Sequence, residues 1–167
     1  RALLIGNNTY ESEVWPDLKT AVQDVTAMGQ LLQRRYGFKK ENIILRTNAD
    51  RDEMLNAFYK LQDLAKEADN VLIYYAGHGE YNKRGGFWIP VKANKMTEYI
   101  GNEVVLARIA AIKARHKLLI SDSCFSGNLF TRSRGEDFSQ SYRYRRGYYL
   151  EKREMISVQG LSSGGNT

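Results

Sequence analysis

Residues 70–80 read NVLIYYAGHGE. From Val71 to Ala76 the run is uncharged and rich in β-branched and aromatic side chains. An apolar run of this length, closed by glycine, is the pattern of a strand buried on both faces, as in a parallel sheet. Gly77 and Gly79 then flank His78. The strand therefore ends in a tight turn whose backbone can approach a ligand closely, and that turn carries a titratable ring.

The same kind of run recurs on either side. ALLIG (2–6) and NIILR (42–46) read as strands upstream, and KLLIS (117–121) and MISVQG (155–160) downstream; GFWIP (86–90) is a short extended piece. Between them lie helical spacings. Leu18, Val22, Val25, Met28, Leu32 and Tyr36 make one apolar face, with Pro16 and Asp17 at its expected start and Gly37 at its stop. Asp50 and Glu53 form a capping box before Leu55, Phe58, Leu61 and Ala65. Asn102 is expected to cap a third helix carrying Val105, Ile109 and Ile112, with His116 as a favourable charge near its end. Trp15 and Trp88 read as packing. This alternation predicts an α/β fold: a mostly parallel sheet flanked by helices on both faces, with right-handed crossovers.

Composition bounds the class. The 167 residues are 43% hydrophobic, enough for one domain spanning 1–167. Lys+Arg exceed Asp+Glu by 25 to 19, a net charge of +6 that serves solubility as readily as an acidic partner. One cysteine forms no internal disulfide and points to a reducing, cytoplasmic setting. No apolar run approaches the roughly 18 residues a membrane span needs. No signal peptide is expected at the start, and Arg1, directly before a strand, reads as the start of a piece of a longer protein. The sequon Asn7-Asn8-Thr9 reads as chance. Residues 128–154, polar, basic and rich in Tyr, read as one long exposed loop. GLSSGG (160–165) lacks the lysine of a phosphate loop.

In open parallel sheets, sites form beyond the carboxyl ends of the strands. His78 lies just past one such end. Cys124, in ISDSCFSG (120–127), lies just past another. If those strands are neighbours, about 4.8 Å apart, a thiol and an imidazole share one edge. That pairing suits nucleophilic cysteine chemistry, with His78 as proton carrier and the N–H groups of Gly79 and Cys124 as an oxyanion hole. A lone cysteine is more often a small buried hydrophobe; the histidine at the same edge favours catalysis.

YYAGHGE and ISDSCFSG resemble the His and Cys boxes of the caspase-like cysteine peptidases, the caspase–hemoglobinase fold, and particularly the metacaspases and their bacterial relatives. In the caspases the histidine lies about 50 residues before the cysteine; here the separation is 46. ALLIGNNTY, DNVLIYYAGHGE, GFWIP and MISVQGLSSGGNT extend the resemblance over nearly the whole chain. It implies a thiol endopeptidase acting on proteins or peptides with Arg or Lys before the cut. Asp122 and Asp24 match the two aspartates that line the family's pocket for a basic residue. Ala76 departs from the serine often found there, which leaves Arg against Lys open. Relatives are often cut after the catalytic cysteine, where this chain carries Arg132, Arg134, Arg143, Arg145 and Arg146, followed by Lys152 and Arg153. The family continues beyond the equivalent of Thr167, so the chain is expected to lack a C-terminal part, with regulatory domains or partner proteins elsewhere. Many metacaspases bind calcium after the histidine, but the acids of 79–101 are isolated, so no metal and no cofactor are expected. Two other readings stand beside this one. A catalytically silent scaffold would keep the fold for partner binding, and the basic loop could bind nucleic acid, although acids interrupt its run.

Overall fold

A computed structural model describes residues 1–123 and the backbone of 156–160. The elements run β1 (Ala2–Gly6), α1 (Ala21–Tyr36), β2 (Ile43–Thr47), α2 (Arg51–Leu64), β3 (Asn70–Ala76) and β4 (Gly79–Asn82). They continue with β5 (Gly85–Trp88), β6 (Ile100–Gly101), α3 (Asn102–Ala110), β7 (His116–Asp122) and β8 (Ile156–Gly160). Five strands form one sheet in the order β2-β1-β3-β7-β8, every pairing parallel.

Alternate residues of each strand feed opposite faces. Ala2, Leu4, Leu72, Tyr74 and Ala76 turn toward α1 and meet Ala21, Val25 and Leu32. Leu3, Ile5, Ile73, Tyr75 and Leu119 turn the other way, onto Met54, Phe58 and Leu61 of α2 and Val105 and Ile109 of α3. Both faces are thus covered, which is why the strands show no polar alternation. α1 comes close to the strand at Gly6: a Cβ there would stand 2.5 Å from Val25 Cγ2 and 2.6 Å from the Ala21 carbonyl oxygen.

The capping box forms as read, with Glu53 N–H donating to Asp50 Oδ1 at 3.0 Å and Asp50 N–H to Glu53 Oε2 at 2.9 Å. Three readings need correction. The first helix begins at Ala21, not at Asp17. Asp17 Oδ1 accepts the Tyr10 N–H at 2.8 Å and Leu18 N–H donates to the Asn8 carbonyl at 2.8 Å, so 17 and 18 are held in a loop. Asn8 Oδ1 instead takes the Val22 N–H, at 3.0 Å, inside the first turn. Gly101, not Asn102, caps α3, because the chain leaves β6 extended there. His116 opens β7 and is exposed. The residue after it, Lys117, supplies the cation at the α3 C-terminus, its Nζ donating to the Ala110 carbonyl at 3.2 Å.

The extended piece at 86–90 is part of a second, antiparallel sheet, β4-β5-β6. GEYN (79–82) has no apolar alternation and β6 is two residues long, so neither announces itself in sequence. Trp88 packs as expected, buried and stacked on Tyr75 with centroids 4.2 Å apart and planes at 10°. The segment 128–154 and GLSSGG beyond Gly160 lie outside the described residues.

The sequon asparagine is fully buried. Asn7 Nδ2 donates to the Ala49 carbonyl at 3.3 Å and the Ile89 carbonyl at 3.4 Å, and Oδ1 accepts the Ala49 N–H at 2.9 Å. One amide therefore ties β1 to the segments that follow β2 and β5. Asn7→Ala leaves the Ala49 N–H unpaired in the interior, at about 1–3 kcal/mol, while the Ala49 carbonyl keeps the Val91 N–H and the Ile89 carbonyl keeps the Tyr75 hydroxyl. We expect about 1–3 kcal/mol of lost stability in urea unfolding, with an unchanged m-value.

Candidate active site

β3 and β7 lie side by side, in register from Asn70 opposite His116 to Ala76 opposite Asp122. Their carboxyl ends are therefore level, and the Gly77 N–H reaches across to the Asp122 carbonyl at 3.3 Å. His78 follows Ala76 by two positions. Cys124 follows Asp122 by two positions in the sequence and itself lies outside the described residues, as do Arg132, Arg134, Arg143, Arg145 and Arg146.

The loop after β1 wraps His78. Its imidazole Nε2 is 2.7 Å from the Pro16 carbonyl oxygen. A carbonyl only accepts, so Nε2 carries the hydrogen, and in the neutral ring Nδ1 is left with its lone pair free to take a proton. Tyr10 packs on the imidazole at a centroid distance of 4.7 Å and Trp15 at 5.2 Å. Trp15 is thus packing, but packing on the histidine. Its own Nε1–H donates to Tyr99 Oη at 3.2 Å, tying it to the segment before β6. Gly79 begins β4, paired with Trp88 of β5. The neighbouring residues His78 and Ile89 are hydrogen-bonded, Ile89 N–H to His78 O at 3.1 Å. By the alternation of an antiparallel ladder, Gly79 occupies a non-bonded position and its N–H faces away from β5.

The acidic residues come together on the α1 face. Asp122 shares the pleat of Leu118 and Ile120, which pack on the α1 side of the sheet, and Asp24 lies in the first turn of α1. Burial, and then the charge of Asp24, push the Asp122 carboxyl above its ordinary 3.8, while the Tyr74 hydroxyl turned toward it partly offsets them. Burial, followed by the charges of Asp122 and Asp24, pushes Tyr74 up to about 12. Ala76, directly opposite Asp122, adds no polar atom to this cluster. Two carboxylates and a phenol thus lie close to one another at the carboxyl end of the sheet, where His78 also sits. Among the described residues, neither carboxylate meets a Lys or Arg within ion-pairing distance.

Among the described residues no three His, Cys, Asp or Glu side chains converge as a metal site would require, and no helix is long and apolar enough to cross a membrane. Residues 1–160 match the model of the peptidase C14 caspase domain. The chain belongs to the caspase-domain family.

This caspase domain is similar to metacaspase-1 of Schizosaccharomyces pombe, at 34% identity over 91 residues, covering 50% of this chain and 21% of that protein. It is similar to metacaspase-1 of Eremothecium gossypii, at 27% over 147 residues, 77% of this chain and 32% of the relative. Metacaspase-4 of Arabidopsis thaliana aligns at 27% over 199 residues, 99% of this chain and 46% of the relative. The chain thus spans less than half the length of these relatives. A crystal structure of a protein from Geobacter sulfurreducens shares the fold, with a TM-score of 0.61 at 19% identity over 96% of this chain and 71% of that one.

Sequence reasoning named His78, Gly79, Ala76, Asp24 and Asp122, and the structure sets all five at one edge of the sheet. It missed Tyr10, Pro16, Tyr74 and Tyr75. Pro16 acts through its main-chain oxygen, which any residue type would offer, so no signal in the sequence marks it.

Proposed function

We propose that this caspase domain, read as one unit over 1–167, is a cysteine endopeptidase that cuts proteins after Arg or Lys. The observation that carries the reading is the level ends of β3 and β7. They bring the His78 loop beside the chain that runs on to Cys124, above two aspartates with no described counter-ion.

The chemistry follows from the groups. Nδ1 of His78 takes the thiol proton of Cys124, and the Pro16 carbonyl holds the imidazolium through Nε2–H. The thiolate attacks the scissile carbonyl carbon, and the electron pair moves to its oxygen, which the N–H groups of Gly79 and Cys124 receive. Collapse expels the amine, which takes its proton from the imidazolium. Water, deprotonated by His78, then releases the acid and restores the thiol. A basic side chain before the cut extends its charge toward Asp24 and Asp122, where charge-assisted bonds are strong. Ala76 offers no hydroxyl, so the choice between Arg and Lys rests on the carboxylates and Tyr74. A peptide library cleaved by the protein tests this: cuts after Arg and Lys support it, and cuts after Asp overturn it. No cleavage of any peptide favours the silent scaffold.

We propose further that the segment after Cys124 is a processing site. Arg132, Arg134, Arg143, Arg145 and Arg146 are the residue type the paired aspartates favour, and a tethered segment has an effective concentration that reaches the millimolar range. Wild type is expected to give fragments ending at one of these residues, and Cys124→Ala to stay intact, as read by mass spectrometry. Wild type that stays whole while cutting Arg peptides would rule out self-cleavage. We propose also that further domains or partner proteins regulate this activity. A single cysteine fits a reducing, cytoplasmic setting.

A further inference from the structure

The main-chain N–H and C=O of His78 are held by two phenols from different parts of the fold. On one side, the His78 N–H donates to Tyr10 Oη at 2.8 Å. On the other, Tyr75 Oη donates to the His78 carbonyl at 2.7 Å. In a regular ladder the His78 N–H would bond the Ile89 carbonyl, completing the pair begun by Ile89 N–H. That carbonyl is taken instead by Asn7 Nδ2 at 3.4 Å and lies 3.3 Å from Tyr75 Oη. The N–H is thereby freed for Tyr10. Both phenols are buried, Tyr10 at 7% exposure and Tyr75 at 0%, so water does not compete freely for these bonds. The fit is tight: a Cβ on Gly77 would stand 2.6 Å from Tyr75 Oη and 3.1 Å from Tyr10 Oη. Tyr10 also belongs to the loop that supplies Trp15 and Pro16, and Asp17 of that loop fixes its N–H at 2.8 Å. One loop thus touches His78 at its main chain, its ring face and its Nε2.

We infer that Tyr10 and Tyr75 are positioning residues, a clamp on the His78 main chain that sets the imidazole and the adjacent Gly79 N–H in one fixed relation. The inference rests on His78 acting as the proton carrier. Removing either hydroxyl loosens the peptide without touching the substrate pocket. A misplacement of about 1 Å at a reacting group is enough for a 100-fold loss.

The test is Tyr10→Phe in the intact protein, which keeps the ring on the imidazole and removes only the hydroxyl that accepts the His78 N–H. We expect kcat on an Arg peptide to fall about 10- to 100-fold with KM within about threefold. Amide hydrogen exchange of the 78–79 segment should rise while exchange in β1 stays unchanged. Tyr75→Phe should act in the same direction, and the double variant should lose less than the product of the two, since both hold the main chain of one residue. If Tyr75→Phe fails to fold, Tyr10→Phe decides alone. A merely structural hydroxyl would lower the melting temperature and leave kcat of the folded enzyme alone, which would overturn the clamp. Should wild type and Cys124→Ala be equally inactive, the peptidase reading is what fails. Exchange at 78–79 then still decides: a rise on Tyr10→Phe supports the clamp, and no rise removes it.

Discussion

Cys124→Ala is expected to abolish peptide hydrolysis, a loss on the order of 10⁵-fold or more, while the protein stays folded. The chain has one cysteine, so no second thiol can take over. His78→Ala should cost nearly as much. A nucleophile and its proton carrier act as a unit, so removing either forfeits most of what both supply. The double variant should then be little worse than either single one. His78 is only half-buried, and its loss removes ring contacts with Tyr10 and Trp15 without opening the two main cores, so circular dichroism and melting should report a folded domain. Substantial activity in either folded variant contradicts the dyad.

Asp122→Ala is expected to lower kcat/KM on Arg peptides by about 10²- to 10³-fold, the scale for truncating one partner of a desolvated charge pair. Asp24→Ala should follow with a smaller loss, because Asp24 sits on the helix and Asp122 at the strand end beside the chemistry. Acidity gives the same pocket a second signature. The Asp122 carboxyl sits above 3.8, raised by burial and by Asp24. Its charged form is what a cation binds, so affinity is full above the raised value and lost as pH falls through it. For the empty domain the sign is opposite. A raised carboxyl favours folding below its unfolded value and loses that contribution as pH rises through the folded one. Binding of an arginine amide should therefore weaken on acidification at a higher pH than an ordinary carboxylate would give, and Asp122→Asn should remove that step. Binding that is flat across this range in wild type would take Asp122 out of the pocket.

The parallel core was legible because burial on both faces writes itself as unbroken apolar runs, and β3 is read at its observed bounds from NVLIYYA alone. His78 was legible because glycines flank a titratable ring at a strand end. The second sheet was not, since GEYN carries no alternation and a two-residue strand leaves no pattern. The start of α1 was misplaced because Pro16-Asp17 imitates a helix start, whereas Asp17 spends its carboxylate on the Tyr10 N–H. The convergence of Asp24 with Asp122 came from resemblance. Its physical reason is the pleat: Asp122 is two residues on from Ile120, on the face that α1 covers. The Pro16 carbonyl and the Tyr10 phenol depend on where the loop after β1 returns in space, and no local pattern encodes that.

The most direct measurement is covalent labelling. The protein is treated with an acyloxymethyl ketone carrying Arg and with its counterpart carrying Asp, then digested and mapped by mass spectrometry. The predicted result is one adduct, on the peptide containing Cys124, from the Arg reagent and not the Asp reagent, and strongly reduced in His78→Ala. An unlabelled Cys124, or a Cys124 labelled equally by both reagents, would contradict a basic-specific cysteine peptidase.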